Sequence, residues 1–393
     1  MRIIAAPILA AFALVCLALE SFGGQADSPV SLADQAEQSI RGGDTAGATE
    51  LLGKASAAPG ATAESEDRIG FLYAVLQQQD LAVTHFEQAI KIKSDYAAAH
   101  YHLGVALWNA DQHPRGLTEL QTAAQLDPKN FDYLFRLGSA YQRTGDLAGA
   151  VDAFGKAVAI DPANDTVHNT YAFLLIDTRQ ADRGIEESRK VLEHNPKDTN
   201  ALMNIGYAYL KKGEFDLAEK TYREVLAIDA DSPAAHYDLG IALKSEDQLD
   251  AAKKEFAEAI RLDPSLAQAH YSMGITDWQL ADFAGLADEM RAAIKVSPDY
   301  AEAHYMLGVA LKETGDLDGA LAELRESVRL DPSTPGPYNT MGQILRIKGD
   351  KEGSQQAFAT GAQLAKAKDA QLANTLEQGM RGGEVMKPIA PHL

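Results

Sequence analysis

Between Ala301 and Thr334 the apolar residues fall at Tyr305, Leu307, Val309, Ala310 and Leu311, and again at Leu317, Ala320, Leu321, Leu324 and Val328. Steps of three and four residues describe two amphipathic helices rather than alternating strands. Gly315 and Asp316 part the two runs, and glycine suits the left-handed residue that closes a helix. The same turn recurs as Gly145-Asp146, Gly213-Glu214 and Gly349-Asp350. Pro332 stands at the far end of the second run, where it removes an amide donor and restrains the residue before it, so the helix stops.

This pair of helices is one copy of many. Prolines precede Pro332 at Pro298, Pro264, Pro196, Pro162 and Pro128, every interval being 34 residues or twice 34, with Ala230 in the skipped slot. A small column keeps the same beat at Gly70, Gly104, Gly138, Ala172, Gly206, Gly240, Gly274, Gly308 and Gly342. A bulky one follows at Phe86, Leu120, Phe154, Tyr222, Phe256, Leu324 and Phe358. A unit this small cannot bury its apolar face alone, so it stacks on its neighbours, and function belongs to the surface that stacking makes. A larger residue at Gly240 or Gly274 is expected to overpack the helix crossing, at a cost of about 1 to 3 kcal/mol, which makes these glycines structural.

The order Leu-Gly, then Tyr or Leu, then Ala, Phe, Ala and Asp-Pro resembles the tetratricopeptide repeat family. The resemblance covers nine tandem units over 63–368, preceded by a degenerate helix pair over 27–62, where Ala36, Ala48, Leu52 and Ala55 keep the beat. It implies an all-α fold, a right-handed superhelical solenoid of stacked antiparallel helix pairs. The concave side of such a solenoid is lined by the first helix of each pair and binds a partner protein or peptide. A capping helix is expected over 369–381 and a disordered tail over 382–393.

By the same resemblance, the partner-binding groove consists of Tyr101, Val105, Trp108, Phe135, Phe173, Tyr207, Tyr237, Ile241, Tyr271, Ile275, Trp278, Tyr305 and Val309. This wall is mostly aromatic and aliphatic. The clamp of lysines, arginines and asparagines with which some family members hold a C-terminal carboxylate is not matched in the first units, where Tyr101, Val105 and Trp108 stand instead. A segment docking apolar side chains between tyrosines is expected, support of the neighbouring unit being the other role open to the tyrosines.

Titratable residues bring little chemistry. His100, His168, His236, His270 and His304 share one column, in which the family usually has tryptophan or another bulky residue. Equivalent positions on successive units lie about 10 Å apart, too far for shared metal ligation, so packing between helices is the expected role and a pH response the alternative. Neither a catalytic residue, a metal site nor a cofactor is expected. The cations Arg143, Lys211, Lys212, Lys244, Lys312 and Arg346 end first helices, where they offset the helix dipole or form a rim for an acidic partner. The unit over 267–300 departs most: Asp277 replaces a tyrosine or leucine, and Leu286 a small residue. A buried carboxylate needs a partner, so either the packing here is shifted or Asp277 faces a wet groove beside Trp278.

The first residues bear on location. Met1-Arg2 precedes an apolar run from Ile3 to Leu19, and Gly24-Gln25-Ala26 supplies a small-x-small cleavage pattern, so 1–26 reads as a secretory signal peptide. An uncleaved anchor is the alternative, though a run of roughly 17 residues barely spans a bilayer. Cys16, the one cysteine, lies within this run, and cleavage leaves a chain without disulfides or thiol chemistry. The segment holds one Arg and one Glu, so the charge stays at 35 − 55 = −20, which disfavours nucleic acid as a partner. These features describe an exported bacterial protein, periplasmic or at the cell surface, acting as a non-enzymatic scaffold for a protein or peptide partner. The alternative is a targeting or regulatory subunit of a glycosyltransferase or secretion system whose catalytic part is another chain. Self-association through the ends of the array is a further possible contact.

Overall fold

The computed structural model describes residues 28–381, with side chains as far as residue 374. The expected signal peptide and tail lie outside the described residues. Among those residues there are twenty helices and no strand. They group into two compact units that divide between Val167 and His168.

The first unit holds α1 (Pro29–Arg41), α2 (Thr45–Ala57), α3 (Ala63–Val75), α4 (Gln79–Ile92), α5 (Ala97–Asn109), α6 (His113–Leu126), α7 (Phe131–Thr144) and α8 (Leu147–Ile160). The division falls within α9 (Asp165–Asp177). The second continues with α10 (Ala181–His194), α11 (Thr199–Lys212), α12 (Phe215–Ile228), α13 (Pro233–Ser245), α14 (Leu249–Leu262) and α15 (Ala267–Gln279). It ends with α16 (Phe283–Val296), α17 (Ala301–Thr314), α18 (Leu317–Leu330), α19 (Pro335–Ile347) and α20 (Lys351–Arg381). Consecutive helices pack as pairs within each repeat, and each pair packs on the next inside its unit. Among the described residues no helix is long and apolar enough to cross a membrane.

The helices start and stop for local reasons. Asp146, Asp282 and Asp316 cap α8, α16 and α18, each carboxylate accepting from the amide of a glycine three residues on at 2.9 Å. The turn between the helices of a pair always contains a left-handed residue. It is glycine at Gly43, Gly145, Gly213, Gly315 and Gly349, and another residue at Gln77, Asp111, Arg179, Asp247 and Ala281, with φ between 58° and 66°. Where a separate capping helix is expected over 369–381, α20 instead runs unbroken from Lys351 to Arg381. No proline interrupts it, and the one glycine after Gly361, Gly379, stands in its last turn, so its backbone hydrogen bonds continue past the point where other second helices stop.

The small columns do what close crossing demands. A Cβ on Gly240 would sit 2.6 Å from the Phe256 ring, and on Gly138 3.0 Å from that of Phe154. At Gly274 the nearest atom is the terminal methyl of Met290, the flexible end of a side chain, so overpacking is easier to relieve there. Tyr222, Phe86, Phe154 and Phe256 are the largest fully buried side chains.

The histidine column is packing of a particular kind. His100, His168, His236, His270 and His304 each bring Nδ1 within 2.6 to 2.7 Å of a glutamate nineteen residues on, namely Glu119, Glu187, Glu255, Glu289 and Glu323. Each bond clasps the first helix of a repeat to its second. At His100, His236 and His304 the other ring nitrogen lies 3.1 to 3.2 Å from a backbone carbonyl six residues back. In the repeat beginning at α3 the pair is inverted, Glu66 meeting His85 Nδ1 at 2.6 Å. Where the histidine is absent the glutamate is absent too: Leu134 faces the place of Ala153, Leu202 that of Thr221, and Tyr338 that of Ala357.

Candidate functional site

The thirteen residues expected on the groove lie on the first helices, but the structure does not treat them alike. Phe173 and Trp278 are exposed, at 43% and 41%. Tyr101, Val105, Phe135, Tyr207, Tyr237, Ile241, Tyr271, Ile275, Tyr305 and Val309 are half-buried. Trp108 corrects the expectation: it is 7% exposed, with the tilted His113 ring at 4.6 Å and the Arg143 guanidinium over it at 5.5 Å. The same column thus yields one tryptophan inside and one outside. In sequence, Asp277 and Leu280 flank Trp278 where Leu107 and Ala110 flank Trp108.

Both roles left open for the aromatic residues are visible. Tyr101 stacks on Tyr133 at 4.8 Å, and Tyr271 lies 5.1 Å from Tyr300, so these rings support the neighbouring repeat. Phe173 and Tyr207 stack at 5.7 Å on successive first helices while leaving ring surface open. Burial pushes the Tyr237 and Tyr271 hydroxyls up from the ordinary tyrosine value, as it does that of Tyr300. A cleft of about 300 Å³ lies beside Tyr237, lined also by Pro233, Ala234, Leu266, Gln268 and Ala269.

Five of the six cations at the ends of the first helices divide into two sets. Lys212 pairs with Asp182 at 2.8 Å and Glu214 at 3.0 Å, and Lys312 with Glu313 at 2.9 Å. Arg143, Lys211 and Arg346 lie instead over the rings of Trp108, Tyr207 and Phe358, at 5.5, 5.1 and 6.0 Å. Among the described residues Lys244 has neither, and burial lowers its affinity for a proton. On the same helix, burial alone pushes the Asp238 carboxyl up to about 7.

Asp277 is answered from inside the protein. It is 1% exposed and pairs with Lys253 of the preceding repeat, so it does not face a wet groove. Burial raises its proton affinity and the Lys253 ammonium opposes that rise. Leu286, fully buried on α16, fills the space that a small residue leaves in other repeats. The departure in this repeat is therefore a shifted packing with an ion pair to its neighbour.

Family models described as TPR repeat match residues 70–111 and 206–247, and models described as Tetratricopeptide repeat match 131–164, 233–266 and 271–335. This chain is a tetratricopeptide repeat protein. Over 160 residues it is 25% identical to the BBSome complex member BBS4 of Bos taurus, a match covering 40% of this chain and 30% of that protein. Over 103 residues it is 31% identical to the photosystem I assembly protein Ycf3 of Prochlorococcus marinus subsp. pastoris, covering 25% of this chain and 58% of that one. The repeat protein thus spans less than two thirds of either relative's length. A solved tetratricopeptide repeat protein from Parabacteroides merdae superposes with a TM-score of 0.52 over 63% of this chain and 98% of that one. At 15% identity, that likeness shows a shared fold.

Proposed function

We propose that the protein is a non-enzymatic scaffold of the cell envelope that holds a partner protein or peptide on the first-helix face of its repeats. The observation that carries this reading is the half-open aromatic and aliphatic stripe, with Phe173 and Trp278 at its most exposed points. A face that met only water would favour polar residues, and rigid rings with open surface are what a docking segment uses. Two relatives bear names that place them in a complex or an assembly process, a BBSome complex member and a photosystem I assembly protein. The envelope location rests on the apolar run from Ile3 to Leu19 followed by Gly24-Gln25-Ala26.

The test uses a photo-cross-linking residue placed in turn at Trp278, at Phe173 and, as a control on a second helix, at Ile228. Cross-links to a common partner are expected from the first two sites only. They are expected to fall at least tenfold when Tyr237, Tyr271 and Tyr305 are changed together to serine in a chain that keeps its helical circular dichroism. Equal cross-linking from Ile228, or capture undiminished in the triple variant, places binding elsewhere. Sequencing the N-terminus of the exported chain checks the location, a start at Asp27 being expected.

A further inference from the structure

α13 carries two charges that no other group among the described residues answers. Charged groups buried elsewhere are paired: Glu66 with His85, Asp67 with His102, and Asp277 with Lys253. Asp238 and Lys244 are both half-buried, and among the described residues neither has a hydrogen bond or an ion pair.

The repeat register explains why. In three repeats a polar residue two places beyond the histidine column meets the preceding repeat at the residue thirty-five back. His102 Nδ1 lies 2.7 Å from Asp67, Asn204 donates to the Asn169 carbonyl at 2.9 Å, and Ser272 Oγ lies 3.4 Å from the Tyr237 hydroxyl. For Asp238 the residue in that place is Met203, which offers no donor. On the other side, Lys312 donates to Gln343 of the following repeat at 3.1 Å. The equivalent residue for Lys244 is Ile275, which offers no acceptor. Each charge is thus orphaned by an apolar neighbour where another repeat supplies a polar one. Beside Asp238, the fully buried Tyr222 hydroxyl also lacks a hydrogen-bond partner. A half-buried charge without a partner costs free energy that a bound group of opposite sign recovers.

We propose that the segment bound on this face supplies both missing charges, a lysine or arginine that pairs with Asp238 and a carboxylate that pairs with Lys244. This rests on the reading that the first-helix face is a docking surface, and it names the chemistry of the occupant. Six helical residues rise about 9 Å and leave the two positions about 120° apart around the helix, so their Cα atoms lie about 10 Å apart on its two flanks, a span that an extended peptide crossing α13 covers in about three residues. The occupant therefore carries a basic and an acidic side chain about three positions apart, with uncharged residues between them against Tyr237 and Ile241. The lone pair of opposite charges on α13 disfavours a polybasic or a polyacidic tract, because either would set a like charge against one of the two anchors.

Fluorescence anisotropy of the full chain at pH 8, where the Asp238 carboxyl is ionised, tests this with two labelled peptides. One repeats Lys-Val-Thr-Glu three times, and the other has glutamine in place of every lysine and glutamate. The charged peptide is expected to bind about tenfold more tightly, and that preference is expected to vanish in the near-isosteric double variant D238N/K244Q. Equal affinity of the native chain for both peptides, a preference that survives in the double variant, or no saturable binding of either at about 1 mM overturns the proposal. The docking reading fails separately: it falls if the triple tyrosine variant keeps its partner cross-links, and stands if they are lost while the two peptides bind equally.

Discussion

Ala281 holds a backbone angle of φ 58°, in the slot where five other repeats place glycine. A Cβ in the left-handed region crowds the following carbonyl and costs about 1 to 2 kcal/mol, which glycine avoids. Ala281→Gly is therefore expected to raise the unfolding free energy by about 0.5 to 1 kcal/mol, since glycine's extra freedom in the unfolded chain returns part of the gain. Urea denaturation checks this, and an unchanged or lower midpoint contradicts it. Asp238 makes a second prediction at this scale. Its carboxyl is raised from an ordinary 3.8 to about 7, so between those values the folded chain keeps a proton that the unfolded chain has released. Stability from this group is thus fully present below about pH 4, falls as pH rises through about 7, and stays low above it. Asp238→Asn is expected to remove that slope and to gain on the order of 1 to 3 kcal/mol at pH 8 relative to the native chain, read from denaturation midpoints across pH. A slope unchanged by the substitution would assign the pH dependence to other groups.

The clasp between the two helices of a repeat belongs to the scale of elements. Six repeats hold a histidine and a glutamate in contact, one of them in inverted order. His236→Leu alone strands the Glu255 carboxylate, whose side chain is 27% exposed, and Glu255→Ala alone strands the imidazole. Each single change is expected to cost about 1 to 3 kcal/mol. The double variant is expected to recover much of the loss, because the repeat that begins at α7 already packs Leu134 and Ala153, at 3% and 2% exposure, in those places. A double-mutant cycle that returned no coupling would mean that the two side chains stabilise their helices independently. This pairing was legible in the chain, since His and Glu appear, exchange and disappear together at a spacing of nineteen. Helical periodicity overlooks it, because steps of three and four connect residues within one helix while nineteen crosses the turn to the next.

At the scale of the molecule, columns that read alike along the chain come to different ends in space. Trp108 and Trp278 occupy one column, yet the first is buried under Arg143 and the second lies open. Lys244 and Lys312 occupy another, and only the second finds an acceptor across the repeat boundary. Asp277 reads as a fault in its repeat until Lys253 of the preceding one is brought against it. The sequence by itself determined the helix pairs and the glycine turns at Gly145, Gly213, Gly315 and Gly349, which depend on residues within one turn of the chain, and the repeat length, which is a pattern along it. Glycine and proline act on their own backbone, and the 34-residue beat needs no knowledge of neighbours. Tertiary structure alone decided which side chains of the first-helix face are covered, which charges are answered and which remain open. Those outcomes turn on pairs nineteen, thirty-one or thirty-five residues apart, whose energies depend on burial and contact that exist only once the helices have stacked.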